Sequence, residues 1–212
     1  MYIDIEVIYL TCYERMIQII ENYLNINIPK EFYPTIKTLF KEKKIKKSSI
    51  LLDIGETAAN TYILISGLMR SYYIDKNGND ITQYFLEPGD LFGYSKFTIN
   101  EPLSVCIESI EDCILMEADG HNLLNSISNN NFALLSWIKM LETELRFKTA
   151  RQSTYLLKNA TERYLDFQKN YSEIEDRINQ SYIASYLGIT PISLSRIRAS
   201  LNRSNSTEKN NK

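Results

Sequence analysis

The apolar positions of this chain change their period twice. Residues 13–26, YERMIQIIENYLNI, repeat at helical spacing; Pro29 interrupts them, and 30–42 reads as a second short helix. From Lys44 the pattern becomes a set of short β-type runs divided by turns: IKKSSILLDIGE, TYILISGLMRSYYIDKNGNDITQYFLEPGDLFG and VCIESIEDCILMEA. Asp75-Lys76-Asn77-Gly78-Asn79 is a hairpin loop with an Asn-Gly signal, and Gly55, Gly67, Gly78, Gly89 and Gly93 punctuate the region in the rhythm of a small β-barrel or jelly roll. The third regime is helical. Asn131 to about Leu157 contains neither Gly nor Pro, and Leu134, Ile138, Leu141 and Leu145 form a seam of the coiled-coil kind. The run is too short for a free coiled coil, so the β region is expected to cover part of it; a plain core helix is the alternative. A further helix at 159–170 carries Ala160, Tyr164, Leu165 and Phe167, and the tail SNSTEKNNK is of low complexity.

Residues 180–202, QSYIASYLGITPISLSRIRASLN, have the pattern of a helix-turn-helix. Ile183, Ala184 and Leu187 recur at helical spacing, Gly188 breaks the helix, Thr190 is a good N-cap and Pro191 a good first helical residue. Ala184 is small enough for two helices to cross closely. Leu194, Ile197 and Leu201 continue an apolar face on the second helix, which leaves Ile192, Ser195, Arg196, Ala199 and Arg203 pointing away from it. A thymine methyl would give Ile192 an apolar partner, and Arg196 could reach a guanine edge. Ser181 and Ser193 sit on flanks suited to phosphate. The candidate DNA-binding set is therefore Ser181, Thr190, Pro191, Ile192, Ser193, Ser195, Arg196 and Arg203. The competing reading is an ordinary helical hairpin with a polar exterior.

Composition narrows the classes. At 212 residues, 44% apolar and 24% charged, the chain has room for one large domain or two small ones of ordinary globular make-up. No apolar run is long enough to span a bilayer, and the N-terminus MYIDIEVIYL lacks the basic start of a signal peptide; a cytoplasmic location without membrane contact is expected. Cys12, Cys106 and Cys113 make neither a zinc pattern nor an even disulfide set, so they read as buried thiols, and no metal is expected. The net charge of −2 hides an asymmetry: residues 50–120 hold twelve acids against Arg70, Lys76 and Lys96, whereas 177–212 hold Arg177, Arg196, Arg198, Arg203, Lys209 and Lys212 against Glu208 alone. A basic end on an acidic body fits contact with a polyanion.

Over roughly residues 25–202 the segments YILISGLMRSYYID, EPGDLFG, ATERYLDF and YIASYLGITPISLSRIR, in that order, resemble the cyclic-AMP receptor/fumarate-nitrate regulator (Crp/Fnr) superfamily of bacterial transcription factors. The phrase ERY…LGITP…LSRIR looks most like its Bacteroidetes-type members. The resemblance implies an α+β fold: a cyclic-nucleotide-binding-like β-roll (jelly roll) with N-terminal helices over 1–125, a central dimerisation helix over 126–157, and a helix-turn-helix domain with a polar tail over 158–212. Leu134, Ile138, Leu141 and Leu145 would form the dimer interface. Cyclic-nucleotide members bind the ribose with a Glu after the FG-type turn, where this chain has Tyr94, and the phosphate with an Arg before a Ser-Ala pair, where it has Leu103-Ser104-Val105. A replacement cation would have to be Arg70 or Lys96. Iron–sulfur members need an N-terminal cysteine cluster, and only Cys12 lies there; haem would depend on His121, the only histidine, in the loop-like Asp119–Asn122 stretch, where a surface or capping role fits better. No strand pattern follows the second helix, so the wing of many members is not expected.

The expected function is a dimeric, sequence-specific DNA-binding transcription regulator, not an enzyme, with no cofactor and no response to cyclic AMP. Its partners would be double-stranded DNA and a second copy of the chain, with RNA polymerase and an unidentified small-molecule effector as further candidates. Tyr84, Tyr94, Leu103 and Ser104 are the candidate ligand pocket; the tyrosines, with Tyr72 and Tyr73, could equally fill the barrel. A cupin-type enzyme is disfavoured because one histidine lies outside the strand runs. The alternative class is a β-roll interaction or ligand-binding module whose helix-turn-helix no longer binds DNA specifically.

Overall fold

The computed structural model describes residues 10–57, 59–93 and 102–210, the last seven of these by backbone alone. Its contacts divide the chain into two compact units, Met1–Ser71 with Phe85–Glu144, and Tyr72–Tyr84 with Leu145–Lys212.

The first unit opens with α1 (Cys12–Leu24), started by a capping box in which the Thr11 side chain accepts from the Glu14 N–H and Glu14 bonds back to Thr11. Asn25 closes the helix in the left-handed conformation. A 3-10 turn (Lys30–Phe32) leads into α2 (Tyr33–Leu39). The helix read over 30–42 therefore stops at Leu39, and the strand region begins at Phe40 rather than Lys44. The cause is tertiary: β1 (Phe40–Ile45) pairs antiparallel with β8 (Cys113–Asp119) from Phe40↔Ala118 to Ile45↔Cys113, and Lys43 reaches Glu117 across the ladder at 2.8 Å.

Between them run β2 (Ile50–Leu52), β3 (Asn60–Ser66), β4 (Met69–Ile74), β5 (Asp80–Leu86), β6 (Leu91–Phe92) and β7 (Cys106–Ser109). They form two four-stranded sheets, ordered β1-β8-β3-β6 and β2-β7-β4-β5. One core cluster gathers Tyr62, Leu64, Met69, Ile107, Cys113 and Leu115; a second gathers Ile63, Ile65, Met116 and Ala118 with Met16, Leu123 and Ile127 of the helices. Successive residues of β3 thus enter different cores, which is why TYILI reads as a continuous apolar run instead of alternating. The hairpin loop between β4 and β5 is as expected: the Asp75 carboxylate accepts from the Asn77 and Asn79 N–H groups, and Gly78 takes φ +83.

The stretch read as a loop at His121 is the start of α3 (Gly120–Ser128), N-capped by Asp119, whose side chain accepts from the Asn122 N–H. His121 is exposed there. Cys106 and Cys113 are buried and Cys12 half-buried, all as free thiols. Among the described residues no cluster could hold a metal ion, and no helix is long and apolar enough to cross a membrane. Helix α4 (Asn131–Leu157) buries Met140 and packs Ala133 and Trp137 on the second core cluster.

In the second unit, α5 (Ala160–Asn170), a 3-10 turn (Glu175–Arg177), α6 (Gln180–Leu187) and α7 (Pro191–Asn210) enclose an aromatic core. Phe167 lies 5.2 Å from Tyr171 and 5.5 Å from Tyr186, and Tyr171 meets Tyr186 edge-on. Ser185 of α6 joins the β4–β5 hairpin: its hydroxyl accepts from the Thr82 N–H and donates to the Asp80 carbonyl, both at 2.9 Å. The low-complexity tail is helical through Asn210, and no strand follows α7 among the described residues.

Candidate nucleic-acid interface

The helix pair is set by local rules first. Asn179 caps α6, accepting from the Ser181 N–H at 3.0 Å. At the other end Gly188 adopts φ +66, its N–H bonding to Ser185 and the Ile189 N–H to Ala184, a Schellman closure. Thr190 then starts α7: its hydroxyl accepts from the Ser193 N–H at 3.2 Å and pairs with the Ser193 hydroxyl at 3.0 Å. Ala184 and Leu194 are fully buried where α6 and α7 cross, as the spacing required.

Three arginines fix this pair, and sequence reasoning missed all of them. Arg151 donates to the Tyr186 carbonyl with its guanidinium 3.6 Å from the centroid of the Tyr186 ring; Arg163 donates to the Leu187 carbonyl at 3.1 Å. Both cations sit on the last carbonyls of α6, where the helix dipole favours positive charge. Arg198 of α7 bonds Glu175 at 2.6 Å and the Tyr164 hydroxyl at 2.9 Å, and Tyr164 in turn donates to Glu175 at 2.7 Å. Burial opposes the charge on Glu175, but the bonds from Tyr164, Gln168 and Arg198 outweigh it and hold its carboxyl below the usual range. Burial, with Glu175 beside it, pushes the Tyr164 phenol up to about 12. The readable signal was the Asn159-x-x-Glu162 capping box of α5, which places this helix; the long-range partners had none.

The outward face of α7 is as the periodicity gave it. Pro191, Ile192, Ser195, Arg196, Ala199 and Arg203 are exposed, Ile192 at 66%, while Ile197 and Leu201 are half-buried against the core. Arg196 makes no hydrogen bond or ion pair among the described residues. Arg203 bonds the Ala199 carbonyl of its own helix at 3.4 Å. The hydroxyls of Ser181, Thr190 and Ser193 are engaged in capping, Ser181 with Asn179 at 3.0 Å. The basic end is thus smaller than its sequence count, since Arg198 is spent inside the fold.

The four seam residues of α4, Leu134, Ile138, Leu141 and Leu145, are all exposed, Leu145 at 66%. Three of the four candidate ligand-pocket residues are described. Leu103 is buried in the core between the sheets, its backbone paired with Gly55 and Glu56; Ser104 is exposed; Tyr84 lies 5.7 Å from Phe147 and 5.9 Å from the Arg151 guanidinium; Tyr94 lies outside the described residues. Tyr72 is buried, and Tyr73 is exposed and bonded to Gln83. Of the two substitute cations, Arg70 is buried and paired with Glu108, and Lys96 lies outside the described residues.

Residues 42–130 match the cyclic nucleotide-binding domain. The chain is 27% identical over 171 residues to the anaerobic regulatory protein of Haemophilus influenzae, covering 74% of this chain and 65% of the relative's length. It is 27% identical over 170 residues to the fumarate and nitrate reduction regulatory protein of Vibrio cholerae, covering 74% of this chain and 67% of that one. FixK2 from Bradyrhizobium japonicum has a similar fold, with a TM-score of 0.67 at 21% identity, over 79% of this chain and 86% of that one. The domain match over the β-roll, and the similarity to these regulatory proteins over most of the chain, agree with the order of elements described above: residues 42–130 are a cyclic nucleotide-binding-type domain, and the chain as a whole is similar to regulators of the Crp/Fnr kind.

Proposed function

We propose that the chain is a transcription regulator that binds a two-fold symmetric DNA site as a homodimer. The observation that carries this reading is the outward face of α7, where an unengaged Arg196 lies beside the exposed Ile192 on a helix whose position is fixed by Thr190, Gly188 and Arg198. An arginine with free donors and an apolar residue one turn away match a guanine edge and a thymine methyl. The exposed Leu134, Ile138, Leu141 and Leu145 seam supplies a surface for a second copy. The regulatory names of the relatives support the same class.

The regulator acts without cyclic AMP or cyclic GMP. Leu103 offers no charge to a phosphate, and Arg70 is already committed to Glu108. Selecting random DNA fragments with the purified protein and sequencing them tests the main reading: a palindrome with half-sites about one DNA turn apart, ~34 Å, is expected. A selection that yields no enriched sequence overturns it. The alternative is an interaction module whose helix-turn-helix does not bind DNA specifically. Retention on DNA that weakens steeply with salt while keeping sequence preference decides against it.

A further inference from the structure

A cavity of about 380 Å³ lies in the first unit, and neither Leu103 nor Ser104 of the candidate ligand pocket lines it. Its walls come from five elements: Leu24 of α1, Ile36 of α2, Ile63 of β3, Ile127 of α3 and Met140 of α4. Phe32 and Phe132, stacked 5.4 Å apart with an 8° interplanar angle, also border it. Close-packed interiors leave few voids larger than a water molecule, whose share of liquid volume is ~30 Å³. This space is an order of magnitude larger and falls within the ~300–1,000 Å³ of small-molecule sites. A larger side chain at Ala133, which borders it, would fill part of it.

The lining states what the occupant must be. Among the described residues it contains no Asp, Glu, Lys, Arg or His. Its polar members are neutral, and several are already committed: Tyr23 donates to Glu144, Ser136 to the Phe132 carbonyl, and Asn130 accepts from the Ala133 N–H. Thr35 and Ser126 add neutral hydroxyls. An ionised group would lose hydration here: among the described lining residues an anion meets no positive side chain, and a cation meets only the Glu144 carboxylate that already accepts from Tyr23. We infer that this cavity is a binding site for an uncharged, predominantly apolar small molecule, bound chiefly by burial of its hydrocarbon surface.

Two dyes with the same ring skeleton test both the place and the charge rule. Neutral N-phenyl-1-naphthylamine should bind the intact chain saturably, one per chain, and raise its melting temperature. Its sulfonated anionic counterpart, 1-anilinonaphthalene-8-sulfonate, should bind at least about tenfold more weakly. Ala133→Phe on α4 and Ile36→Trp on α2 should each lower affinity for the neutral dye by about tenfold or more while leaving the far-ultraviolet circular dichroism unchanged; if one variant does not fold, the other decides. No binding by the intact chain, equal binding of the two dyes, or folded variants that bind like the parent each overturn the inference. Binding that appears only after residues 1–9 are removed also overturns it and assigns the cavity to the chain's own first residues.

Discussion

The hydroxyl of Tyr155 stands against Gly188, so that a Cβ on residue 188 would collide with it. Gly188 is thus favoured by its φ of +66, and a side chain there would also have to displace the Tyr155 hydroxyl. Gly188→Ala should destabilise the helix-turn-helix unit by about 1–3 kcal/mol in urea unfolding. In a Tyr155→Ala background the same change should cost less, because only the backbone strain remains. Equal costs in the two backgrounds would show that the close approach carries no energy.

Arg196 and Arg198 are two residues apart and should fail differently. Arg196→Ala is expected to leave the unfolding midpoint unchanged, weaken DNA binding by roughly 1–3 kcal/mol and relax base preference at one position. Arg198→Ala removes the counter-charge of Glu175, leaving it only the bonds from Tyr164 and Gln168, and should lower stability by about 1–3 kcal/mol, weakening DNA binding without altering the preferred sequence. Unchanged affinity and selected sequence in Arg196→Ala would remove it from base reading.

Leu141→Asp places a charge on the exposed seam of α4, where a second copy would leave it without a partner. The variant should sediment as a monomer, keep its fold and lose most of its DNA affinity. A folded variant that remains dimeric would put the interface elsewhere.

Burial pushes the Asp90 carboxyl up to about 7; the Glu87 N–H opposes this by hydrogen bonding, and the nearby Glu144 and Glu87 carboxylates add to it. Between its ordinary 3.8 and about 7, the folded chain holds a proton that the unfolded chain has released. Stability from this group is therefore complete below that window and falls as pH rises through it. Asp90→Asn keeps the acceptor for the Glu87 N–H, at 2.8 Å in the parent, and should flatten the decline when unfolding free energy is measured from pH 4 to 8. A parent whose stability rises across that range would contradict the assignment, as would a variant with the same slope.

Calorimetric titration with cyclic AMP and cyclic GMP should give no micromolar binding, and DNA affinity should not respond to either. A micromolar heat removed by Arg70→Gln would mean that Arg70 leaves Glu108 for the phosphate.

Features governed by neighbouring residues were legible in the sequence. The Asp75–Asn79 loop, the Thr190 cap and the outward face of α7 all follow from spacings of four residues or fewer, or from one helical period. The strand Phe40–Ile45 was not, because FKEKKI is made of good helix formers and becomes a strand only through its ladder with β8. Arg198 looked like one more cation for DNA, since Glu175 lies 23 residues back in a short 3-10 turn. Leu103 was singled out by resemblance and Tyr84 by the aromatic richness around it; neither signal reports that Leu103 fills the core between the sheets or that Tyr84 lies tilted against Phe147.

Ser185 has a consequence for how the molecule behaves among its neighbours. β5 is the last strand of its sheet, and a bare strand edge is a template on which another polypeptide can add itself. At Asp80 and Thr82 the template is already used: one helical hydroxyl takes the N–H and fills the carbonyl, as a residue of a fifth strand would. The side chain that joins α6 to the hairpin is therefore also a guard against edge-to-edge aggregation, and losing it would leave a dangling donor and acceptor on the same side of one strand.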